Sequence, residues 1–217
     1  MKRLAFILLG FGVLLFTSCK KKTDTSPPVI TLKGESVMRV SLNTDFKDPG
    51  IIVTDDVDGT DVYTTDYSTL NPNTDLEGTY TINYYSTDNG NNNTHAVRTV
   101  IVSNDAKNMA GLYSVTDYIY GKSAGTYTYK VNVTASTTQN NKLFLANFGG
   151  LGGDVTVSAI ASGDTLAIKP DAQIPFGMTV PGSIRGGGDI VSGKIVDLYY
   201  SVIYSGGIDY AYSYWTK

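Results

Sequence analysis

The chain contains few of the side chains from which most catalytic and metal sites are built. It has one histidine, His95, and two glutamates, Glu35 and Glu77. A zinc site needs three or four nitrogen or sulfur ligands, and a serine triad needs a histidine beside a serine and a carboxylate. Glycoside hydrolysis needs a close pair of acids, and both glutamates fall in the first half of the chain. We therefore predict a protein that is not an enzyme and uses no cofactor.

Long windows rich in Ala, Leu, Glu and Lys are also missing after residue 20. Short runs of Val, Ile, Thr and Tyr occur instead, separated by clusters of Gly, Asn and Asp, and this composition is typical of strands and turns. The sequence predicts an all-β chain. A net charge of only −3 gives no general attraction to nucleic acid.

A single cysteine, Cys19, follows an apolar run that extends from Leu4 to Phe16 behind two basic residues. At about 1.5 Å per residue this run spans roughly 20 Å, less than the ~30 Å hydrocarbon core of a bilayer. It is typical of a signal peptide. The residues Phe16-Thr17-Ser18-Cys19 resemble the lipobox of bacterial lipoproteins. That resemblance implies that residues 1–19 are a lipoprotein signal peptide and that Cys19 becomes the lipidated first residue; simple secretion is the alternative.

A lipid anchor at Cys19 would make the membrane the first partner of the mature chain. Several acyl chains give stable attachment where one chain does not. Residues 20–26 would form a short tether between this anchor and the folded chain. Outer-membrane attachment is expected from the resemblance, with display at the cell surface; a periplasmic orientation stays open.

The remaining chain divides into two parts by charge. Residues 27–103 carry four Lys/Arg and eleven Asp/Glu, a balance of −7, whereas residues 104–217 carry eight of each. The polar hexapeptide at 103–108 separates the two parts, as a domain boundary does. We predict one domain at 27–103 and a second at 104–217.

The first domain reads as short strands with turn signals every eight to twelve residues, a rhythm typical of a β-sandwich. Four of its segments are "PPVITLKG", "FKDPGIIVTDDVDG", "GTYTINYYSTDNGNN" and "RTVIVS". Together they resemble the bacterial Ig-like domain of surface and secreted proteins, a type also seen in pesticidal crystal proteins. The resemblance implies an Ig-like β-sandwich that serves as a spacer or adhesion module.

An acidic stretch in this domain suggests a calcium site, because calcium takes hard oxygen ligands. Its four aspartates are Asp55, Asp56, Asp58 and Asp61. The alternative is an acidic turn in which Asp side chains accept hydrogen bonds from nearby backbone N–H groups. No twelve-residue loop with a terminal glutamate is present, so the turn interpretation is favoured and no metal is predicted.

The second domain contains about eight alternating strand segments, enough for a small barrel or a two-sheet sandwich. Glycine runs at 149–150, 152–153, 186–188 and 206–207 predict hairpin turns. Gly111-Leu112-Tyr113, "LFLANFGG" and the closing "YAYSYWTK" resemble the lipocalin-like β-barrel domain at the C-terminus of Bacteroidetes surface lipoproteins. The resemblance implies an antiparallel barrel with a mouth.

Aromatic side chains are concentrated in this second domain, which holds eleven of the sixteen tyrosines and the only tryptophan. Aromatic rings stack on sugars, so an exposed aromatic strip predicts carbohydrate binding, although tyrosine also packs well within sheets. The candidate ligand-binding residues are Tyr210, Tyr212, Tyr214 and Trp215. The prediction is a surface binding protein with glycan as its ligand. The alternative is an accessory subunit that docks to other outer-membrane proteins and binds no small ligand.

Overall fold

A computed structural model of the chain describes residues 23–60, 72–151, 155–169, 184–204 and 206–217, together with the backbone of residues 64–66. These residues form β-strands and two short 3-10 helices. The predicted all-β fold is confirmed. The predicted signal peptide with Cys19, and the candidate calcium ligand Asp61, lie outside the described residues.

Among the described residues, seven strands precede residue 104. They are β1 (Val29–Leu32), β2 (Val37–Ser41), β3 (Ile51–Asp55), β4 (Gly59–Thr60), β5 (Thr64–Asp66), β6 (Gly78–Thr87) and β7 (Asn93–Ser103). One sheet has the order β1-β3-β4 and the other the order β2-β7-β6-β5, with β2 parallel to β7. Apolar residues of both sheets share one core, for example Ile30, Leu32 and Ile51 with Ile82 and Val100. The arrangement is the predicted β-sandwich.

A buried arginine crosses the middle of this sandwich. Arg98 of β7 is fully buried, and its guanidinium forms an ion pair with Asp48 at 3.2 Å. The same group donates to the Tyr84 hydroxyl at 2.9 Å and to the carbonyl oxygens of Lys33 and Gly50 at 2.8 and 3.1 Å. A buried charge is tolerated only when it is paired and hydrogen-bonded. Arg98 therefore joins the two sheets without an uncompensated charge.

Eight strands follow the junction in the part of the chain that the structure describes. They are β8 (Gly111–Tyr120), β9 (Gly125–Ala135), β10 (Lys142–Ala146), β11 (Thr156–Ser162), β12 (Thr165–Ile168), β13 (Ile184–Val191), β14 (Lys194–Tyr204) and β15 (Gly207–Thr216). Each pairs antiparallel with the next, and β15 pairs with β8 to close the barrel. The order is an up-and-down meander, which fits the predicted lipocalin-like domain. The predicted domain limits, 27–103 and 104–217, stay a prediction.

Alternation along the strands separates the barrel interior from its surface, because successive side chains of a strand point to opposite faces. In β8, Tyr113, Val115 and Asp117 are buried while Ser114 and Tyr118 are exposed. The barrel interior contains an apolar core. Its largest members include Tyr113, Leu143, Leu145, Phe148, Ile195 and Leu198.

Three strands begin with the same Gly-x-Tyr pattern and the same hydrogen bond. The hydroxyls of Tyr80, Tyr113 and Tyr127 each donate a hydrogen bond to the carbonyl oxygen four residues earlier. The oxygen-to-oxygen distances are 2.8, 2.8 and 3.4 Å. A Cβ on Gly78 or Gly125 would meet the ring of the following tyrosine at 3.3 or 3.0 Å. Glycine thus leaves room for the ring to fold back, and the pattern fixes where each strand starts.

A buried carboxylate ties four neighbouring strands of the barrel together. Asp117 of β8 is fully buried. Its Oδ2 accepts hydrogen bonds from Tyr129 of β9, at 2.6 Å, and from Tyr200 of β14. Its Oδ1 accepts from Ser213 of β15 at 2.6 Å. Burial, together with the Asp117 charge, raises the pKa of both tyrosines above the ordinary value of a phenol, so they remain proton donors.

The two halves of the chain are joined by asparagine hydrogen bonds. Asn104, between β7 and the 3-10 helix Asp105–Met109, donates to the carbonyl oxygens of Ser136, Gln139 and Lys142 at 2.9 to 3.1 Å. The backbone N–H of Asn140 donates to the side chain of Asn43 in the first half at 2.8 Å. The β9–β10 loop is therefore held by both halves.

One glycine run does not form the predicted turn. Gly186, Gly187 and Gly188 lie inside β13 and pair with residues 198–200 of β14. A Cβ on Gly186 or Gly188 would lie about 2 Å from a carbonyl oxygen of β14 (2.1 and 1.9 Å). The glycines are required because β13 approaches its neighbours too closely for side chains. In the described part of the chain, no helix is long and apolar enough to span a membrane.

Asp117→Asn is expected to lower the free energy of unfolding of the barrel by about 2 kcal/mol. The amide NH2 group cannot accept a hydrogen bond, so at least one of the three buried hydroxyl donors loses its partner. The measurement is urea unfolding followed by the fluorescence of Trp215, the only tryptophan, which lies in the barrel core. Asp189→Asn, at an exposed position of β13, is the matched control and should change stability by less than about 0.5 kcal/mol. Equal effects of the two substitutions would contradict the role assigned to Asp117.

Candidate functional site

Six tyrosines lie together on the outer surface of three adjacent strands, β8, β14 and β15; we call this surface the tyrosine face. Strand pairing also places β13 beside β14, and the outward residues of these four strands form three rows. The arginine row is Arg185, Ser201, Tyr210 and Tyr120; the central row is Gly187, Tyr199, Tyr212 and Tyr118; the acidic row is Asp189, Asp197, Tyr214 and Thr116. The rows follow from strand register alone, because residues directly opposite each other project from the same side of the sheet.

Four of these rings are more than half exposed. The exposed fractions are 63% for Tyr120, 62% for Tyr199, 58% for Tyr210 and 51% for Tyr214. Single exposed aromatics are ordinary, but a contiguous patch of them marks a contact surface. The tyrosine face is therefore the strongest candidate for a binding surface among the described residues.

The rings contact one another at an angle. Tyr199 and Tyr212 have ring centroids 4.2 Å apart at 45°, and Tyr212 and Tyr214 are 4.6 Å apart at 89°. Tyr118 meets Tyr214 edge to face at 6.0 Å. The rings thus offer separate stacking positions in place of one flat platform. A hydrogen bond with Tyr214, and after it desolvation, raises the pKa of Tyr212 above that of an ordinary phenol, so its hydroxyl stays neutral.

Of the four predicted ligand-binding residues, three lie on this surface and one does not. Tyr210, Tyr212 and Tyr214 point outward, whereas Trp215 is only 4% exposed inside the barrel. There its ring meets Tyr113 edge-on at 5.6 Å. Placing Trp215 in the exposed strip was wrong, because alternation along β15 turns it toward the core. Sequence reasoning also missed Tyr118, Tyr120, Tyr199 and Arg185, which only strand pairing brings beside β15.

A shallow groove of about 250 Å³ crosses the arginine row. It is lined by Arg185 and Ser201 together with Tyr199, Tyr200, Tyr210 and Ala211. Two exposed aromatic rings therefore stand beside a guanidinium and a hydroxyl. This combination supplies stacking surfaces and hydrogen-bond donors in one place.

A second concave region lies at the end of the barrel that carries the β8–β9 and β14–β15 turns. This cavity of about 480 Å³ is lined by Tyr127, Tyr200 and Tyr204, by apolar side chains and by Asp209. Its size suits a small ligand. Its polar groups, however, are engaged within the barrel: Tyr200 donates to Asp117, and Tyr204 donates to Asp209 at 3.1 Å. The cavity offers less unpaired polar chemistry than the tyrosine face.

Asp209 fixes the β8–β9 turn at this end of the barrel. Its Oδ1 accepts from the backbone N–H of Lys122 at 2.7 Å and of Ser123 at 3.2 Å. Desolvation opposes ionisation, but the hydrogen bonds from Ser123, Tyr204 and Lys122 outweigh it and hold the pKa of Asp209 below its ordinary value.

The acidic stretch of the first domain forms a hydrogen-bonded turn. Asp55 Oδ1 accepts from the backbone N–H groups of Val57 and Asp58 at 2.8 and 3.0 Å. Asp24, from the predicted tether, joins them, and one carboxylate oxygen from each of Asp24, Asp55 and Asp58 lies within 4.8 Å of the others. Burial raises the pKa of Asp24 above its ordinary value, and the charges of nearby aspartates raise it further. A hydrogen bond from the backbone of Ser26 has the opposite effect but does not cancel them. Asp56 is exposed. Calcium binding here stays the weaker interpretation.

The other singled-out residues have structural surroundings. His95 stacks on Tyr85 with ring centroids 5.0 Å apart. Glu77 forms an ion pair with Lys107 at the junction. Glu35 contributes a backbone carbonyl oxygen to Arg98. These three residues lie in different surroundings. The predicted lack of catalysis stays a prediction.

Comparison with known proteins identifies the first domain. Residues 30–102 match the family model described as "Bacterial surface protein, Ig-like domain". The predicted Ig-like domain is thereby confirmed, and a domain of this family indicates a protein of the bacterial cell envelope.

Full-length comparisons add less. No curated protein matches the chain in sequence. Among solved structures, the lipoprotein BT2262 from Bacteroides thetaiotaomicron is similar at 13% identity and a TM-score of 0.39, over 88% of this chain and 100% of that one. A similarity of this size supports no inference about function.

The barrel is expected to lose stability in acid partly through Asp209. Because the folded pKa lies below the unfolded one, the stabilisation is fully present above about pH 5 and is lost as pH falls through the folded pKa. Urea unfolding followed by Trp215 fluorescence, at pH 7, 5, 4 and 3, measures it. Asp209→Asn should be less stable at pH 7 and lose less on acidification than the wild type. Asp189→Asn should retain the wild-type slope; identical pH profiles for all three proteins would count against this role of Asp209.

Proposed function

We propose that the protein is a lipid-anchored, non-catalytic binding protein of the outer membrane that holds a glycan on the tyrosine face. The observation that carries this proposal is the set of four tyrosine rings, each more than half exposed, on three adjacent strands. Their hydroxyls and the groove beside Arg185 add hydrogen-bonding groups to the stacking surfaces.

The chemistry of the face suits a sugar. A pyranose presents an apolar ring surface that stacks on an aromatic ring, and hydroxyls that need neutral donors and acceptors at its edge. Rings at different angles would contact successive sugar units of a bent chain. The Asp117 network holds the strands beneath, so little order has to be gained on binding, which lowers the cost of association.

A docking subunit without small-ligand binding is the alternative function. Exposed tyrosines are also enriched at protein interfaces, so the same face would fit an outer-membrane protein partner. Glycan is favoured because the exposed rings border a groove whose lining includes a guanidinium and a hydroxyl. These polar groups can form hydrogen bonds with the hydroxyls of a sugar. The Ig-like domain would hold the barrel away from the membrane in either case.

The first test is affinity electrophoresis of residues 20–217 through gels that contain plant, mucosal or microbial polysaccharides. Retardation by at least one glycan is expected. Tyr210→Ala and Tyr199→Ala should each weaken it about 5-fold or more, because each removes a stacking ring. Tyr85→Ala, an exposed tyrosine of the first domain, is the matched control and should migrate as the wild type does. Free migration in every gel would remove glycan binding and favour the docking function.

The anchor is tested separately from the ligand. In a bacterium that expresses the full chain, Cys19 is expected to take up a clickable palmitate analogue, and the protein should partition into the detergent phase of Triton X-114. Cys19→Ser should abolish both, because no other thiol is present. Surface protease treatment of intact cells then distinguishes extracellular from periplasmic orientation. Unlabelled wild-type protein in the culture medium would indicate simple secretion.

A further inference from the structure

We infer that the groove of the arginine row recognises the carboxylate of an acidic sugar, so that the glycan bound by the tyrosine face is a polymer containing uronic acid. This inference rests on the proposed glycan-binding function and specifies its ligand. It depends on the charge, pairing and position of Arg185 in β13.

The guanidinium of Arg185 is available for an external anion. Its side chain is exposed on β13, and no carboxylate of the described residues forms an ion pair with it. Its outward neighbours across the sheet are Ser201 and Tyr210, which are both uncharged. An arginine fork binds a carboxylate through two parallel N–H···O bonds, which suits a sugar acid better than a neutral hydroxyl.

The sheet leaves an aromatic ring open beside this cation. Tyr199 lies opposite Gly187, which has no side chain to cover the ring. A Cβ on Gly187 would lie 2.7 Å from the carbonyl oxygen of Leu166, so the position cannot take a larger residue without a shift of the backbone. The glycine run of β13 thus keeps Tyr199 uncovered next to Arg185. A ring that stacks on Tyr199 or Tyr210 can place a carboxylate toward the guanidinium.

The opposite edge of the tyrosine face carries the opposite charge. Asp189 and Asp197 occupy the acidic row, four residues along β13 and β14 from the arginine row. Four residues of a strand span roughly 13 Å. A carboxylate is attracted at one edge and repelled at the other, so an acidic glycan has a preferred position and direction.

The experiment compares polysaccharides that differ only in charge. Residues 20–217 are run through gels that contain polygalacturonate, alginate or hyaluronan, each paired with its methyl ester, and through dextran sulfate paired with dextran. The expected result is that a free-acid polymer binds about 5- to 10-fold more tightly than its ester. Arg185→Gln should remove that preference while weak, tyrosine-dependent binding of the ester remains.

Two variants control for charge and for the shape of the side chain. Arg39→Gln removes one exposed positive charge from the first domain and should leave the preference unchanged. Arg185→Lys keeps the charge without the fork and should give an intermediate preference. Raising the salt concentration should weaken binding of the acids by the wild type but not by Arg185→Gln.

The outcomes separate the two proposals. Equal binding of acid and ester that depends on Tyr210 and not on Arg185 would overturn the acidic-sugar inference and leave the glycan-binding function in place. Preference for dextran sulfate over every carboxylated polymer would overturn it in favour of sulfated glycans. Binding of no polymer would remove the glycan-binding function itself.

Discussion

The buried carboxylate of Asp117 is the interaction on which the proposed binding surface depends. It accepts hydrogen bonds from the hydroxyls of Tyr129, Tyr200 and Ser213 and so fixes four strands against one another. Three of these strands also form the tyrosine face. Along each strand, the inward residues of this network are next to outward tyrosines of the tyrosine face. Asp117 precedes Tyr118, Tyr200 follows Tyr199, and Ser213 lies between Tyr212 and Tyr214. A one-residue slip of any of these strands would exchange its two faces. The interior polar network therefore sets which rings reach solvent.

Much of the fold could be predicted because its signals are local. The Gly-x-Tyr starts, the alternation within "YAYSYWTK" and the turn residues between strands are visible in the sequence, and the Ig-like motifs stand in order. The candidate site could be predicted only in part, since its residues come from four strands and paired residues lie up to 98 positions apart in the chain (116 and 214). Alternation shows that Tyr210, Tyr212 and Tyr214 share a side, but only the register of β15 with β8 and β14 places Tyr118, Tyr120 and Tyr199 beside them.

The glycine run of β13 shows a second limit of sequence reasoning. Three successive glycines are typical of a turn, and that prediction was wrong because close approach of the neighbouring strands requires glycine inside the strand. Because the run was assigned to a turn, Arg185 was not recognised as part of the candidate site. Its place in that site depends on lying within β13 opposite Ser201. The prediction for Trp215 was wrong for a different reason. Its chemistry suggested a ligand contact, whereas its position on the inner side of β15 makes it part of the core.

Two long strands, β7 and β8, lie along the chain between the proposed membrane anchor and the proposed acidic-sugar site. The side-chain amide of Asn92, just before β7, donates to the carbonyl oxygens of Asp24 and Ser26 at 3.5 and 3.2 Å. β7 then runs to the junction at Asn104, and β8 runs onward from the junction to Tyr120 in the arginine row. Each strand has ten or eleven residues and spans roughly 35 Å. The field of anionic headgroups is screened within about 8 Å at physiological salt. Because this length is a small fraction of either strand, the anchored surface would repel an acidic glycan at Arg185 only if the second half folded back onto that surface.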